Sequence, residues 1–243
     1  MIRLENLVKS FGDKKVLQGL TLDVPPGKTT VIMGRSGIGK SVTLKHIVGL
    51  LPPDAGTVIV DGEDIAHLPR ARWRDVLKKF GVLFQSGALL NWMTVGENVA
   101  LPLREHTRLP EDEIRAVVAR KLALVELEGA QETMPSALSG GMRKRVGLAR
   151  ALVQDPEFIL YDEPTSGLDP VTAETINRLI IALRDKLNVT SVVVTHDLEG
   201  AFRVGDTIAM MDEGKIVEVG TPDQIRQSGN PVVRRFVHPG GQP

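Results

Sequence analysis

With 243 residues, 42% of them hydrophobic, the chain is long enough to bury one substantial core. Lysine and arginine total 30, and aspartate and glutamate also total 30. This balance argues against a protein whose main task is to hold nucleic acid, because phosphate binding needs a surplus of cations. The absence of cysteine excludes a disulfide framework, thiol catalysis and thiolate metal sites.

The apolar runs of the sequence bear on its location. The first residues, MIRLENLVKSFGDKK, contain no apolar signal-peptide core. No uncharged apolar stretch approaches the ~18 residues needed to cross a bilayer. We therefore expect a cytosolic protein, and any membrane process that it serves would need another chain to form the pathway.

Alternating apolar runs and turn signals predict an α/β protein with a mostly parallel sheet and helices on both faces. The elements predicted for the first two thirds are a buried strand at 29–33, a helix from about Ser41 to Val48, strands at 57–60 and 81–84, a mostly helical stretch from about 85 to 155, a helix opened by Pro110, and another from about Gly140 to Gln154. The elements predicted for the last third are strands at 158–161, 192–194 and 207–211, a helix opened by Pro170, a hairpin turn at 212–215, a strand at 216–219, and a surface tail from about Asn230.

A phosphate-binding loop follows the first buried strand. Its residues, which match G-x-x-x-x-G-K-[ST], are Gly34, Arg35, Ser36, Gly37, Ile38, Gly39, Lys40 and Ser41. The glycines let successive N–H groups face one centre at a helix N-terminus, where a phosphate would sit. Lys40 would add a positive charge toward the β- and γ-phosphates, and the Ser41 hydroxyl would ligate Mg²⁺. An ordinary glycine-rich turn is the alternative, which the flanking strand and helix disfavour.

A second half-site lies at the tip of the apolar strand FILYD. Asp162 would hold Mg²⁺, through water, and Glu163 would orient and polarise the attacking water. Alone, two carboxylates at a strand end could be a solvated tip. Paired with the phosphate-binding loop, they predict a nucleotide-hydrolysing site.

A second anion site is predicted at Ser139, Gly140 and Gly141, which stand at the start of a helix. Exposed N–H groups and the helix dipole point the same way there. One nucleotide does not need two such sites from one subunit. Two chains related by two-fold symmetry could each lend one to the other's nucleotide.

The order and spacing of these motifs closely resemble the ATPase subunits of ABC transporters over nearly the whole chain. The resemblance implies a P-loop NTPase (RecA-like, ABC ATPase) core with an N-terminal antiparallel β part and a helical insert. It implies a single domain in which 1–84 and 157–222 form the nucleotide-binding core, 85–156 a helical signature subdomain, and 223–243 a tail. ATP and Mg²⁺, an ATP-sandwich homodimer and a separate integral membrane permease are implied as ligands and partners.

The same resemblance implies roles for individual residues. Phe11 resembles the aromatic residue that stacks on adenine, although a core position is the alternative. The implied catalytic residues are Glu163, the switch histidine His196 and the Q-loop glutamine Gln85. The implied metal ligands are Ser41, Gln85 and Asp162. The implied nucleotide contacts are the phosphate-binding loop together with Val42, Ser139, Gly140, Gly141 and the D-loop residue Asp169.

The chain departs from the family pattern at two positions. Met142 stands where the signature usually has glutamine, so any contact from that side chain is lost, while Ser139 and the glycine N–H groups remain. Val42 stands where the family usually has threonine, and Ser41 still supplies the metal ligand.

Three segments, SGGMRKR (139–145), FQSGALL (84–90) and MTVGENV (93–99), resemble the ATPases that partner MCE-type lipid-transport systems, in particular the Mla-type machinery for outer-membrane lipid asymmetry. This implies phospholipid cargo, MCE-domain and accessory subunits, no nucleic-acid partner, and a position on the cytoplasmic face of the inner membrane. We expect 87–103 to form the groove for a permease helix, with Trp92 and Met93 as anchors. Internal packing of these residues is the alternative.

Other functions remain open. The chain could power a small-solute importer or serve a soluble assembly such as iron–sulfur cluster biogenesis, because this fold alone does not set the cargo. A regulatory module that binds ATP but hardly hydrolyses it is disfavoured by Glu163 and His196.

Overall fold

The computed structural model describes residues 1–238, and for Arg70 it describes the backbone alone. The chain divides into two compact units, each described separately below. The first unit comprises Met1–Leu77 together with the chain from Thr190 onward, and the second comprises Lys78–Val189. The predicted assignment of 85–156 to a helical subdomain stays a prediction.

An antiparallel sheet occupies the N-terminal part of the first unit. Its strands, numbered in chain order with those below, are β1 (Ile2–Phe11), β2 (Lys14–Val24), β4 (Ala55–Val60) and β5 (Glu63–Asp64), in the order β2-β1-β4-β5. In β2, Leu20, Leu22 and Val24 are buried while the residues between them are exposed. This alternation places one face of the strand on the core.

A second set of strands carries the phosphate-binding loop. It consists of β3 (Thr29–Met33), β8 (Thr190–Thr195), β9 (Thr207–Asp212) and β10 (Lys215–Gly220), in the order β10-β9-β3-β8. β3 is parallel to both neighbours, and every residue of β3 and β8 is buried. Continuous burial is typical of a parallel sheet that is covered on both faces. The predicted hairpin between β9 and β10 is confirmed: Glu213 and Gly214 have φ of 43° and 75°.

The helices of the first unit are α1 (Lys40–Ile47), α2 (Arg70–Leu77), α7 (Leu198–Val204), α8 (Pro222–Arg226) and α9 (Pro231–Val237). The prediction of a surface tail from Asn230 is wrong for α9, where Val233 and Val237 are buried. Asn230 caps this helix by accepting a hydrogen bond from the Val232 N–H, and Pro231 occupies its first turn. The rest of the predicted tail, 239–243, lies outside the described residues.

The second unit combines two parallel strands with four α-helices and one short 3-10 helix, Pro135–Ala137. The strands are β6 (Phe80–Leu83) and β7 (Phe158–Asp162), and the helices are α3 (Val95–His106), α4 (Glu111–Leu124), α5 (Gly140–Leu152) and α6 (Pro170–Leu187). Helix α4, which follows Pro110 as predicted, buries the apolar face that carries Ile114, Val118 and Leu122. Helix α5 ends at Leu152, two residues before the predicted Gln154.

Residues 1–238 contain no helix with both the length and the apolar character that a membrane crossing requires.

Candidate nucleotide-binding and catalytic site

The phosphate-binding loop lies between β3 and α1, as predicted. Gly39 precedes α1 with φ of 115°, a backbone conformation that a residue with a Cβ rarely adopts. No side chain caps the N-terminus of α1, since glycine stands at the cap position. The loop therefore has the geometry of an anion site at a helix N-terminus.

Lys40 is folded into this loop. Its side chain is buried, and its Nζ donates hydrogen bonds to the main-chain oxygens of Gly34 (2.8 Å) and Arg35 (3.0 Å). The ammonium group is thus held beside the loop that would enclose a phosphate. This arrangement fits the charge of a nucleotide polyphosphate.

His196 and the phosphate-binding loop leave the same edge of the sheet. Met33, which precedes the loop, pairs in parallel register with Thr195, which precedes His196. The carboxyl ends of neighbouring parallel strands lie at the same edge of a sheet. The exposed His196 therefore lies at the same edge as the first residue of the loop. This placement agrees with the predicted role of His196 at the γ-phosphate, which stays a prediction.

Phe11 is not a core residue: 49% of its surface is exposed. It is the last residue of β1, and the Lys9 ammonium lies 5.8 Å from its ring centroid. The alternative of a core phenylalanine is therefore wrong, and its ring is accessible for stacking.

Gly34 packs too closely to tolerate a larger residue. A Cβ at this position would lie 2.4 Å from the main-chain oxygen of Met211 and 2.4 Å from Cδ1 of Ile38. Such overpacking costs roughly 1–3 kcal/mol. If the loop moves to relieve it, the affinity for ATP should fall by about fivefold or more. We expect this loss in Gly34→Ala, measured with a fluorescent ATP analogue. Gly229→Ala, where an added Cβ meets no atom within 4 Å, is the control, and equal affinities for the two variants would contradict the prediction.

The second unit carries the two carboxylates at the end of β7. Asp162 is half-buried and Glu163 is buried, with φ of 47° for Glu163. This left-handed conformation is uncommon for a non-glycine residue and is often found at functional sites. The main-chain oxygen of Glu163 accepts hydrogen bonds from the Ser166 N–H (3.2 Å) and from Nζ of Lys144 (3.0 Å).

Lys144 is a residue of this site that the sequence interpretation missed. It lies on α5 and is 4% exposed, on the same face as the buried Gly141 and Leu148. Burial lowers the pKa of its ammonium group, and the charges of Asp162 and Glu163 oppose that shift. Its position three residues after Gly141 and four before Leu148 could have predicted a buried lysine.

Gln85 lies beside Ser166, three residues before Asp169 of the predicted D-loop. Its exposed side chain donates a hydrogen bond through Nε2 to Oγ of Ser166, at 3.2 Å. Within the described part of the chain, no group of three or more His, Cys, Asp or Glu residues is placed to hold a metal ion. The predicted Mg²⁺ ligands are of a different kind, because Mg²⁺ in nucleotide sites takes one or two protein oxygens and completes its shell with phosphates and water. Metal binding by Ser41, Gln85 and Asp162 stays a prediction.

Ser139 forms the N-cap of α5, and its Oγ accepts a hydrogen bond from the Met142 N–H at 3.2 Å. Gly140 and Gly141 are the first residues of this helix, and a Cβ on Gly141 would lie 2.3 Å from Cγ2 of Thr172. The exposed end of α5 therefore packs tightly on the start of α6. Ser139 itself is exposed at this helix N-terminus, and binding of the partner copy's ATP there stays a prediction.

Asp169 caps α6. Its carboxylate accepts hydrogen bonds from the N–H groups of Val171 and Thr172 and from the Thr172 hydroxyl. The Thr172 hydroxyl and then the backbone N–H groups lower the pKa of Asp169. Asp169 therefore acts as a helix cap, and contact across a dimer stays a prediction.

A loop–helix unit with a buried lysine and a buried strand ending in two carboxylates define the chain as a P-loop nucleoside triphosphatase. The sequence profile of the family described as ABC transporter matches residues 17–166, so the chain belongs to the ABC transporter family. It is the ATP-binding and ATP-hydrolysing cassette of that family, the part that works with membrane permease subunits.

Four similar proteins indicate how far the similarity reaches. The intermembrane phospholipid transport system ATP-binding protein MlaF of Haemophilus influenzae is 44% identical over 98% of this chain and 90% of its own length. A Mycobacterium leprae protein named "Probable ribonucleotide transport ATP-binding protein mkl" is also 44% identical over 98% of this chain. The matched region covers 68% of that protein and 66% of its Mycobacterium tuberculosis counterpart. The solved dimeric cassette MJ0796, bound to ADP and Pi after hydrolysis, has 34% identity and a TM-score of 0.83 over 91% of this chain and 99% of its own.

Proposed function

We propose that the chain powers phospholipid transport through a separate membrane permease in an Mla-type system, at the cytoplasmic face of the inner membrane. The similarity to MlaF supports this proposal because it extends over 98% of this chain and 90% of MlaF. The mycobacterial relatives are longer, and this chain corresponds to about two thirds of them. MCE-domain and accessory subunits belong to the same proposal.

The proposed site uses this chain's residues in distinct roles. The loop N–H groups and Lys40 bind the phosphates, His196 contacts the γ-phosphate, and Glu163 orients the attacking water. Ser41, Gln85 and Asp162 would hold Mg²⁺, which neutralises phosphate charge when it is bound. The Ser139 end of α5 belongs to the nucleotide of the partner copy, so two copies close over two ATP molecules.

Ribonucleotide transport is the second candidate, because the mkl relatives match this chain at 44–45% identity. Reconstitution separates the two functions. The chain is purified with its permease from native membranes and placed in proteoliposomes, and ATP-dependent movement of a labelled phospholipid and of a labelled ribonucleotide is measured. Movement of the phospholipid alone supports the first function, and movement of the ribonucleotide alone replaces it with the second. Purification without any permease would instead favour a soluble assembly.

The segment before α3 is built to display an aromatic anchor. Asn98 is fully buried, and its amide donates hydrogen bonds to the main-chain oxygens of Leu90, Met93 and Thr94 while accepting one from the Leu90 N–H. The turn between Leu90 and Thr94 is therefore held rigidly. Trp92 in this turn is 74% exposed, so internal packing of its side chain is wrong, whereas Met93 is half-buried.

We infer that Trp92 anchors a permease helix on this turn. A tryptophan side chain has only two torsions to fix on binding and is a frequent hot spot. Trp92→Ala should weaken permease binding by about 2 kcal/mol or more, roughly thirtyfold, while ATP hydrolysis by the chain alone stays within about twofold. Pull-down with the permease and permease-stimulated phosphate release measure the effect.

Val219→Ala is the control, because it removes a half-exposed apolar side chain from a strand of the first unit. Unchanged permease binding by Trp92→Ala would refute this docking surface. It would leave the ATPase assignment untouched.

A further inference from the structure

The buried lysine Lys144 has no role in the site as proposed so far. Its ammonium group is removed from water and donates to the main-chain oxygen of Glu163 at 3.0 Å. Burying an ammonium group is costly, and a methionine of similar length would pack there without that cost. A lysine at this position is therefore explained best by what its Nζ contacts.

The contacted group is the peptide that aims the Glu163 side chain. With φ of 47°, Glu163 has a backbone conformation that a non-glycine residue holds only when its surroundings stabilise it. Two donors converge on its main-chain oxygen, the Ser166 N–H and the Lys144 ammonium. Because a carboxylate moves with its own peptide, the direction of the Glu163 side chain depends on these bonds.

The helix that supplies Lys144 is also the one capped by Ser139, five residues earlier. The same helix holds the segment after Gln85, since Arg150 donates to the main-chain oxygens of Gly87 (3.0 Å) and Ala88 (2.8 Å). Helix α5 thus bonds directly to the Glu163 peptide at one point and to the Gln85 segment at another.

We propose that Lys144 is a positioning residue for ATP hydrolysis: by fixing the Glu163 peptide from α5, it sets the direction of the Glu163 carboxylate and hence the hydrolysis rate. This inference rests on the proposed role of Glu163 in orienting water. A misdirected carboxylate impairs the chemical step and leaves the nucleotide contacts of Lys40 and its loop in place. Loss of Lys144 should therefore lower kcat and spare KM.

The test compares three variants of the full chain by steady-state phosphate release and by binding of a fluorescent ATP analogue. Lys144→Met removes the donor and should lower kcat at least about tenfold, with KM and nucleotide affinity within about twofold. Lys144→Arg restores a donor and should recover part of kcat. Lys121→Met is the matched control, because Lys121 is also a buried lysine of the second unit but pairs with Asp155, and it should keep kcat within about threefold.

A double variant separates this inference from the proposed role of Glu163. If Lys144 acts through Glu163, adding Lys144→Met to Glu163→Gln should lower kcat by less than about twofold further. A kcat of Lys144→Met equal to wild type, an equal loss in Lys121→Met, or a full additional loss in the double variant would each overturn the inference. Wild-type turnover by Glu163→Gln alone would instead refute the role of Glu163. Should Lys144→Met fail to fold, Lys144→Leu takes its place, because leucine also lacks a donor: an unchanged kcat overturns the inference, and a loss of kcat at constant KM supports it.

Discussion

Replacing Glu163 with glutamine should lower ATP hydrolysis by about a hundredfold or more while ATP binding is kept, because general-base assistance contributes roughly 10²–10⁴ in rate. Glutamine has nearly the same shape as glutamate but cannot accept a proton from water. The buried backbone of residue 163 and its contacts with Lys144 and Ser166 do not depend on the carboxylate. Phosphate release at saturating ATP, together with binding of a fluorescent ATP analogue, measures the two effects separately.

The same variant should accumulate as an ATP-loaded dimer, since closure over ATP would no longer be followed by hydrolysis. Size-exclusion chromatography with and without ATP detects that dimer. Glu157→Gln is the matched control: Glu157 is exposed just before β7, its carboxylate lies 3.5 Å from Nζ of Lys79, and the change is chemically identical. Normal turnover by Glu163→Gln would remove Glu163 from its proposed role.

Much of the fold could be predicted because the buried strands appear in the sequence as continuous apolar runs. The apolar runs of β3, β7 and β8 are continuous, and the structure buries nearly all of their residues, as a parallel sheet covered on both faces requires. The predicted hairpin turn between β9 and β10 was also recognisable, because its geometry depends on two adjacent residues. These features are encoded locally.

The C-terminal helix shows where local encoding was insufficient. A segment rich in proline and glycine predicted a surface tail, yet Val233 and Val237 of α9 are buried. Their four-residue spacing places them on one face of a helix that Asn230 caps. Whether such a short helix forms depends on the surface that it packs on, because a helix of seven residues is not stable alone.

The candidate site also contains parts that the sequence predicts and parts that it does not. The phosphate-binding loop and the carboxylates of β7 are contiguous motifs, and the sequence places them correctly next to their strands. Lys144 contacts a residue 19 positions away, and Asn98 holds a turn through four hydrogen bonds. The first contact arises from the packing of α5 beside the end of β7, and the second from a turn that folds back onto α3. Composition or spacing alone does not reveal the bonded atoms.

If two copies share each ATP, substitutions at Ser139 and at Lys40 should each abolish most of the ATP hydrolysis. Ser139→Arg places a bulky cation at the exposed N-cap of α5, and Lys40→Met removes the ammonium held in the phosphate-binding loop. Each variant alone should lose about a hundredfold or more of its hydrolysis, since each lacks a charge-stabilising contact at both sites of its homodimer. Ala182→Arg, on an exposed position of α6, controls for the added arginine and should retain activity.

Mixing the two inactive variants tests the sharing itself. In a heterodimer of Ser139→Arg with Lys40→Met, one site collects both substitutions and the other collects neither. Equal amounts should form about one half heterodimers, each with one of two sites intact, so the mixture should recover about a quarter of wild-type activity if the sites act independently. If each subunit instead used its own Ser139 for its own ATP, every site in the mixture would carry a substitution and no activity would return. Phosphate release from the mixture, measured beside each variant alone, therefore tests whether Ser139 serves the nucleotide of the partner copy.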